Sequence, residues 1–214
     1  MAAECTKNRK TLAGCASGEI EEKKSVFIAD AAPVSSEDEA RAFIDAVKKK
    51  YHDASHHVYA YVLAGGSVAR YSDDGEPQGT GGIPVLNVIK SSGASDCVIV
   101  VTRYFGGTLL GTGGLSRAYG SAAKAAADAA GIAEFEEHAR LRVLVSYPDY
   151  QKIASQISKL GAAEESSSFG ADVECVWSVK LGREAELSAK IAEITAGRAK
   201  VTADGVMEKA VVRS

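Results

Sequence analysis

The residues best placed to do chemistry lie in one glycine-rich stretch, RYFGGTLLGTGGLSRAY, running from Arg103 to Tyr119. The apolar run Cys97 to Thr102 leads into it and an alanine-rich segment follows. A strand, a glycine loop and a helix in that order bring backbone N–H groups together at a helix N-terminus, which favours an anion such as phosphate. Arg103 and Arg117 bracket the loop with the fork geometry that suits phosphate oxygens, and Tyr104 and Phe105 offer faces on which bases can stack. Gly106, Gly107, Gly113 and Gly114 supply amides to this candidate anion- or RNA-binding site. The same glycines would equally serve turns with positive φ and close packing of helix on strand. Both readings stay open, because the spacing matches neither the Walker A loop nor the dinucleotide fingerprint.

A second segment, SDDGEPQGTGG from Ser72 to Gly82, places Asp73, Asp74 and Glu76 within four residues. Such a cluster can hold a hard cation or act as acid and base. It is not an EF-hand loop, and the turn chemistry favours a proline-set acidic turn that caps the next helix. A third cluster contains His52, Asp53, His56 and His57. Imidazoles four apart share a metal only on a continuous helix, and here a helix is ending, so no metal and no cofactor is expected. Ser116 has no GxSxG context and no visible base. His56, His57, Asp73, Asp74 and Glu76 are therefore expected as neighbours of the glycine loop, with no catalytic residue assigned.

Composition narrows the partners. The chain has 214 residues, 25 basic and 28 acidic, for a net charge of −3. Up to residue 138 there are 14 basic and 18 acidic residues, and beyond it 11 and 10. No global basic field exists, so any RNA contact rests on a local patch, and no DNA specificity is expected. No apolar run reaches the roughly 18 residues that span a bilayer. The four cysteines show no metal spacing, which gives a reduced, cytoplasmic setting as the expectation.

The elements that would position these residues are mixed α and β. Strands are expected at 25–31, 57–64, 68–72 and 97–102 from their apolar patterning. Ser36 and Glu39 have capping-box spacing before a helix that turns Ala40, Phe43, Ile44 and Val47 inward. Short and long helices are expected at 83–90 and 113–130. The acidic segment 134–138 reads as a linker between domains 19–136 and 139–214, and residues 1–18 as a mobile tail. In the second domain, alternation at Leu141, Val143 and Val145 begins a strand. A helix follows with Ile153 and Ile157 inward, then a strand pair turning near Gly170, a helix, and a last hairpin turning at Asp204-Gly205. That order, βαββαβ, is the pattern of a ferredoxin-like sandwich.

Together, Lys24-Ser25-Val26-Phe27-Ile28, the His56-His57 pair, the SDDGEP turn with Gly79, Thr80 and Pro84, and the RYFGG…LGTGGLSRAY stretch resemble the YigZ/IMPACT family. The resemblance implies an α+β protein: an N-terminal ribosomal-protein-like βαβ domain, as in the fourth domain of elongation factor G, plus the ferredoxin-like domain. It implies a non-enzymatic, translation-associated role, with RNA, the ribosome or a translation-related protein as partner. The extra N-terminal partner-binding domain of the eukaryotic relatives is not expected here. The alternative from the residues themselves is a Mg²⁺-assisted enzyme or binding protein for a small phosphorylated ligand.

Overall fold

The computed structural model describes residues 9–212. They divide into two compact units, 9–135 with 210–212, and 136–209.

The first unit is built on a sheet in the order β2-β3-β6-β4-β5. Its strands are β2 (Ala16–Glu22), β3 (Ser25–Pro33), β4 (His56–Leu63), β5 (Val68–Ser72) and β6 (Cys97–Tyr104). Every neighbouring pair is antiparallel. β6 is central, and Cys97 to Val101 have no exposed surface. Its alternate side chains feed two cores. Ile99 and Val101 face the helices α2 (Gly82–Ser92) and α3 (Gly111–Ala130). Val98 and Val100 face α1 (Glu37–Lys50), which buries Ala40, Ile44 and Val47. A strand covered on both faces reads as a continuous apolar run, and this one does.

The alanines of α3 have a packing role. Ala118, Ala122, Ala123 and Ala126 are buried against the sheet. A Cβ at Gly18 on β2 would lie 2.7 Å from the Ala126 nitrogen, so only glycine lets strand and helix approach so closely. α1 starts as its spacing predicts: Ser36 Oγ accepts the Glu39 N–H at 3.2 Å. The Glu39 carboxylate reaches back one residue further than a capping box requires, accepting the Ser35 N–H at 2.7 Å.

The second unit follows the βαββαβ order, with the ferredoxin-like arrangement β10-β7-β9-β8. Its elements are β7 (Ile132–Val145), α4 (Tyr147–Gln156), β8 (Ala163–Phe169), β9 (Val173–Lys180), α5 (Glu184–Thr195) and β10 (Lys200–Val212). Leu141, Val143, Ile153, Ile157, Trp177, Leu187 and Ile191 fill its core.

Three expectations need correction. Residues 9–18 are not a tail: β1 (Lys10–Leu12) pairs with Ile132 to Glu134 at the start of β7, and β2 begins at Ala16. Residues 1–8 lie outside the described residues. The acidic segment 134–138 is strand, because β7 runs unbroken through the change of unit and its acidic side chains face outward or into ion pairs such as Lys180–Glu136. Asp204-Gly205 makes no hairpin: Gly205 takes φ +96° inside the single strand β10.

Candidate functional site

The polar signature residues of the first unit meet where β6 ends. Arg103 continues a strand buried on both faces and is itself only 5% exposed. A charge in such a place requires a partner. Its Nη1 donates to Glu76 Oε1 at 2.6 Å, and the Tyr119 hydroxyl donates to the same oxygen at 2.7 Å. Tyr119 sits on the inward face of α3 with Leu115, Ala118 and Ala122, so its hydroxyl had to find an acceptor inside. Burial, and then the bond to Glu76, hold that phenol far above its ordinary pKa. Phe27 and Phe105 both lie 5.4 Å from the Arg103 guanidinium, and Phe27 meets Tyr119 edge to face at 5.1 Å.

The three carboxylates of the SDDGEP segment diverge. Asp73 accepts the N–H groups of Gly79, Gly81 and Gly82 at 2.8, 3.0 and 2.8 Å and so caps α2. Burial raises its pKa, but those three donors outweigh burial and hold the carboxyl below its ordinary value. Asp74, at φ +45°, accepts the His57 N–H at 2.7 Å and an ion pair from Lys48 at 3.4 Å. Glu76 turns inward to Arg103. The turn reading holds, and the carboxylates do not form one cation site. No group of metal-binding side chains occurs among the described residues.

The histidines separate as well. His57 Nε2 lies 3.0 Å from the Tyr51 carbonyl and closes the end of α1 against β4. His56 Nδ1 lies 2.8 Å from the Asp74 carbonyl, which can only accept, so Nδ1 carries the proton and donates. In the neutral ring Nε2 is then a lone pair, and it lies 3.9 Å from Glu76 Oε1. His56, Glu76 and Arg103 form the floor of a cavity of about 480 Å³ whose walls include Phe105, Leu109, Leu110 and Leu115.

The glycines of the loop divide by role. A Cβ at Gly106 would fall 2.1 Å from the Lys24 carbonyl carbon and oxygen, and the Gly106 N–H donates to Ser25 Oγ at 3.1 Å. Gly107 and Gly111 take φ of +83° and +73°. Gly113 and Gly114 lie in the first turn of α3, which no side chain caps. Arg117 is exposed, with Nη1 3.6 Å from where a Gly113 Cβ would be. Arg117 therefore stays at the surface beside a helix N-terminus, whereas Arg103 is consumed in the floor. Tyr104 donates its hydroxyl to Asp53 at 2.8 Å; that bond lowers the Asp53 pKa and raises that of Tyr104.

Sequence reasoning left out Ser25, Tyr119, Lys23 and Leu109 as site residues. Tyr119 was legible from its helical spacing with Leu115 and Ala122. Lys23 and Lys24 form the two-residue turn of the β2–β3 hairpin at φ +47° and +67°, a conformation that glycine or asparagine usually takes, and both are exposed. The 84% exposed Leu109 carries no sequence signal at all.

This is a two-unit α+β protein with a buried ion pair beneath a glycine-rich loop. The Impact N-terminal domain matches residues 23–127, and a domain of unknown function, DUF1949, matches residues 143–198. The chain belongs to the IMPACT family. It is 41% identical over 133 residues to the IMPACT family member YvyE of Bacillus subtilis, covering 62% of this chain and 60% of that one. It is 40% identical to a Thermus thermophilus member, over 61% of this chain and 70% of that one. It is 45% identical to the Escherichia coli member YigZ, over 46% of this chain and 50% of that one. A solved structure of a hypothetical protein, 31% identical, superposes with a TM-score of 0.58 over 92% of this chain and 97% of its own. No helix among the described residues is long and apolar enough to cross a membrane.

Proposed function

We propose that this protein is a non-enzymatic, translation-associated binding factor whose first unit holds single-stranded RNA, free or in the ribosome. The RNA would lie along the surface formed by the Lys23-Lys24 hairpin tip and the start of α3. The observation that carries this reading is the division of charge around the glycine loop. Arg103 and Glu76 neutralise each other inside, while Lys23 and Lys24 are exposed at the hairpin tip that packs on Gly106, and Arg117 is exposed near Gly113 in the first turn of α3, which no side chain caps. Exposed cations and free backbone donors on one loop surface suit a phosphodiester backbone. Two lysines kept at positive φ, where L side chains are strained, fit a tip retained for what it touches. The link to translation rests on membership of the IMPACT family. The Mg²⁺-assisted reading loses its support, because Asp73, Asp74 and Glu76 are each bound to different partners.

The test is titration of the full chain with fluorescent single-stranded RNA across a salt series, alongside ribosome co-sedimentation. Replacing Lys23, Lys24 and Arg117 by alanine together should flatten the slope of log K against log salt by about 2, at about 0.7 per lost phosphate contact. An unchanged slope and unchanged co-sedimentation would reject the surface.

A further inference from the structure

The cavity at the end of β6 has a chemistry that the phosphate surface leaves unused. Arg103 lines it, with a side chain only 6% exposed. Nη1 is spent on Glu76 and Nη2 reaches Ser25 Oγ at 3.5 Å. Nε is buried and has no hydrogen-bond partner among the described residues. The guanidinium end meets this space, because its neighbours Glu76 and Phe105 line the same cavity. A buried donor without an acceptor is costly, and a cavity beside it can admit one with the occupant. Gly111 and Thr112, at the start of α3, line the cavity as well. Their N–H groups are among those that a helix cannot satisfy itself, and no side chain caps this helix. Donors from two elements therefore converge on one cavity.

Charge and walls decide what kind of acceptor fits. Glu76, the one carboxylate of the lining, cancels the charge of Arg103. The α3 N-terminus, equivalent to about half an elementary charge, is then the net positive source. One negative charge suits that balance, whereas a phosphate monoester would bring nearly two beside Glu76. Phe105, Leu109, Leu110 and Leu115 form the sides. Leu109 is 84% exposed and Phe105 50%, so both gain from an apolar cover. Such walls offer no partner to the sugars that flank a phosphodiester, but a carboxylate can be joined directly to an apolar group. At about 480 Å³ the cavity lies within the roughly 300–1,000 Å³ range of small-ligand sites.

We propose that this cavity binds a single carboxylate carried on an apolar body. Its source is either a free medium-chain or aryl acid, or the last residue of a peptide ending in leucine. The carboxylate takes the Gly111 and Thr112 N–H groups and the free Arg103 donor, and the apolar body packs against Phe105, Leu109 and Leu115. The inference does not rest on the RNA-binding reading. RNA phosphate belongs to the Gly113 and Arg117 side of the same turn, and neither of those residues lines the cavity.

The full chain is titrated by calorimetry with octanoate, 3-phenylpropionate and a pentapeptide ending in leucine, each beside its uncharged amide. The free acids or the peptide should bind about tenfold tighter than the matching amide, and whichever does so identifies the source. Thr112→Asp puts a carboxylate at the exposed helix end, where it stabilises the helix. It should weaken acid binding about tenfold while the urea midpoint stays at or above that of wild type. Replacing Lys23, Lys24 and Arg117 by alanine should leave acid binding unchanged. Amides that bind as well as acids, or no binding of any probe, would overturn the site and leave the RNA surface standing. Acid binding that survives Thr112→Asp, or that the triple variant abolishes, would place the carboxylate elsewhere and overturn this assignment.

Discussion

Each unit of this protein has an arginine bound to carboxylates, and the two arginines do opposite work. In the first unit the Arg103 and Glu76 side chains are 6% and 4% exposed, and a tyrosine shares the same oxygen. In the second, Arg142 is 45% exposed and is held by Asp204 at 2.7 Å and by Glu174. Arg140 pairs with the same Asp204 at 2.7 Å. The chemistry is the same, but the solvent differs. Exposed pairs gain little because water and salt already stabilise the separated charges. A buried pair cannot be broken from one side without stranding the other charge, so it fixes geometry. The buried pair thus sets the cavity floor, while the exposed ladder only dresses a sheet.

The contrast is broken most directly at Glu76. Glu76→Ala strands Arg103 in the core and should cost about 3–5 kcal/mol in urea unfolding of the full chain. Replacing both partners with apolar residues, Arg103→Met with Glu76→Leu, should recover most of that loss. A single variant that lost less than about 1 kcal/mol would place the pair with the exposed class. Gly106→Ala comes next. Its Cβ would meet rigid Lys24 backbone at 2.1 Å, and overpacking of this kind costs about 1–3 kcal/mol. Native-like stability there would mean that the loop and the hairpin tip are not held together.

Asp73 gives a pH test of the turn. Its three backbone donors depress its folded-state pKa, so its contribution is complete above the unfolded value of about 3.9 and is lost as pH falls through the lower folded value. Wild type should therefore be more stable than Asp73→Asn at neutral pH, and the gap should close on acidification below about pH 4. A gap that stays constant with pH would remove the carboxylate charge from the explanation.

The sequence showed more of the fold than of the site. β6 was readable as a doubly covered strand because its apolar run admits no solvent face. The ferredoxin-like order followed from the alternation at Leu141, Val143 and Val145 and from the helix and turn signals after it. The same logic, extended one residue, would have put Arg103 inside: a strand buried through Thr102 does not surface at the next position. Reading the arginine as a phosphate clamp treated residue type alone as evidence of exposure. The pairing of Arg103 with Glu76 is a tertiary event across 27 positions, and no local pattern encodes which carboxylate of SDDGEP turns inward. The Lys23-Lys24 tip was illegible for another reason, since the residues that usually mark such a turn are absent. Asp73 was legible because capping is local, a carboxylate close in sequence to the amides it serves.

The smallest expected effect sharpens the comparison from its other end. Arg142→Ala removes its bonds to Asp204 and Glu174, but Asp204 keeps Arg140 and every group involved remains in reach of water. Its urea midpoint at physiological salt should match that of wild type. Any difference seen at low salt should vanish as ionic strength rises, because exposed charges separated by water are screened within about 8 Å at physiological salt. Glu76→Ala should show no such relief, since salt cannot follow the charge into the core. If Arg142→Ala instead cost as much as Glu76→Ala, burial would not be what separates the two arginines. The role of the first-unit pair as the fixed floor of a site would then lose its physical basis.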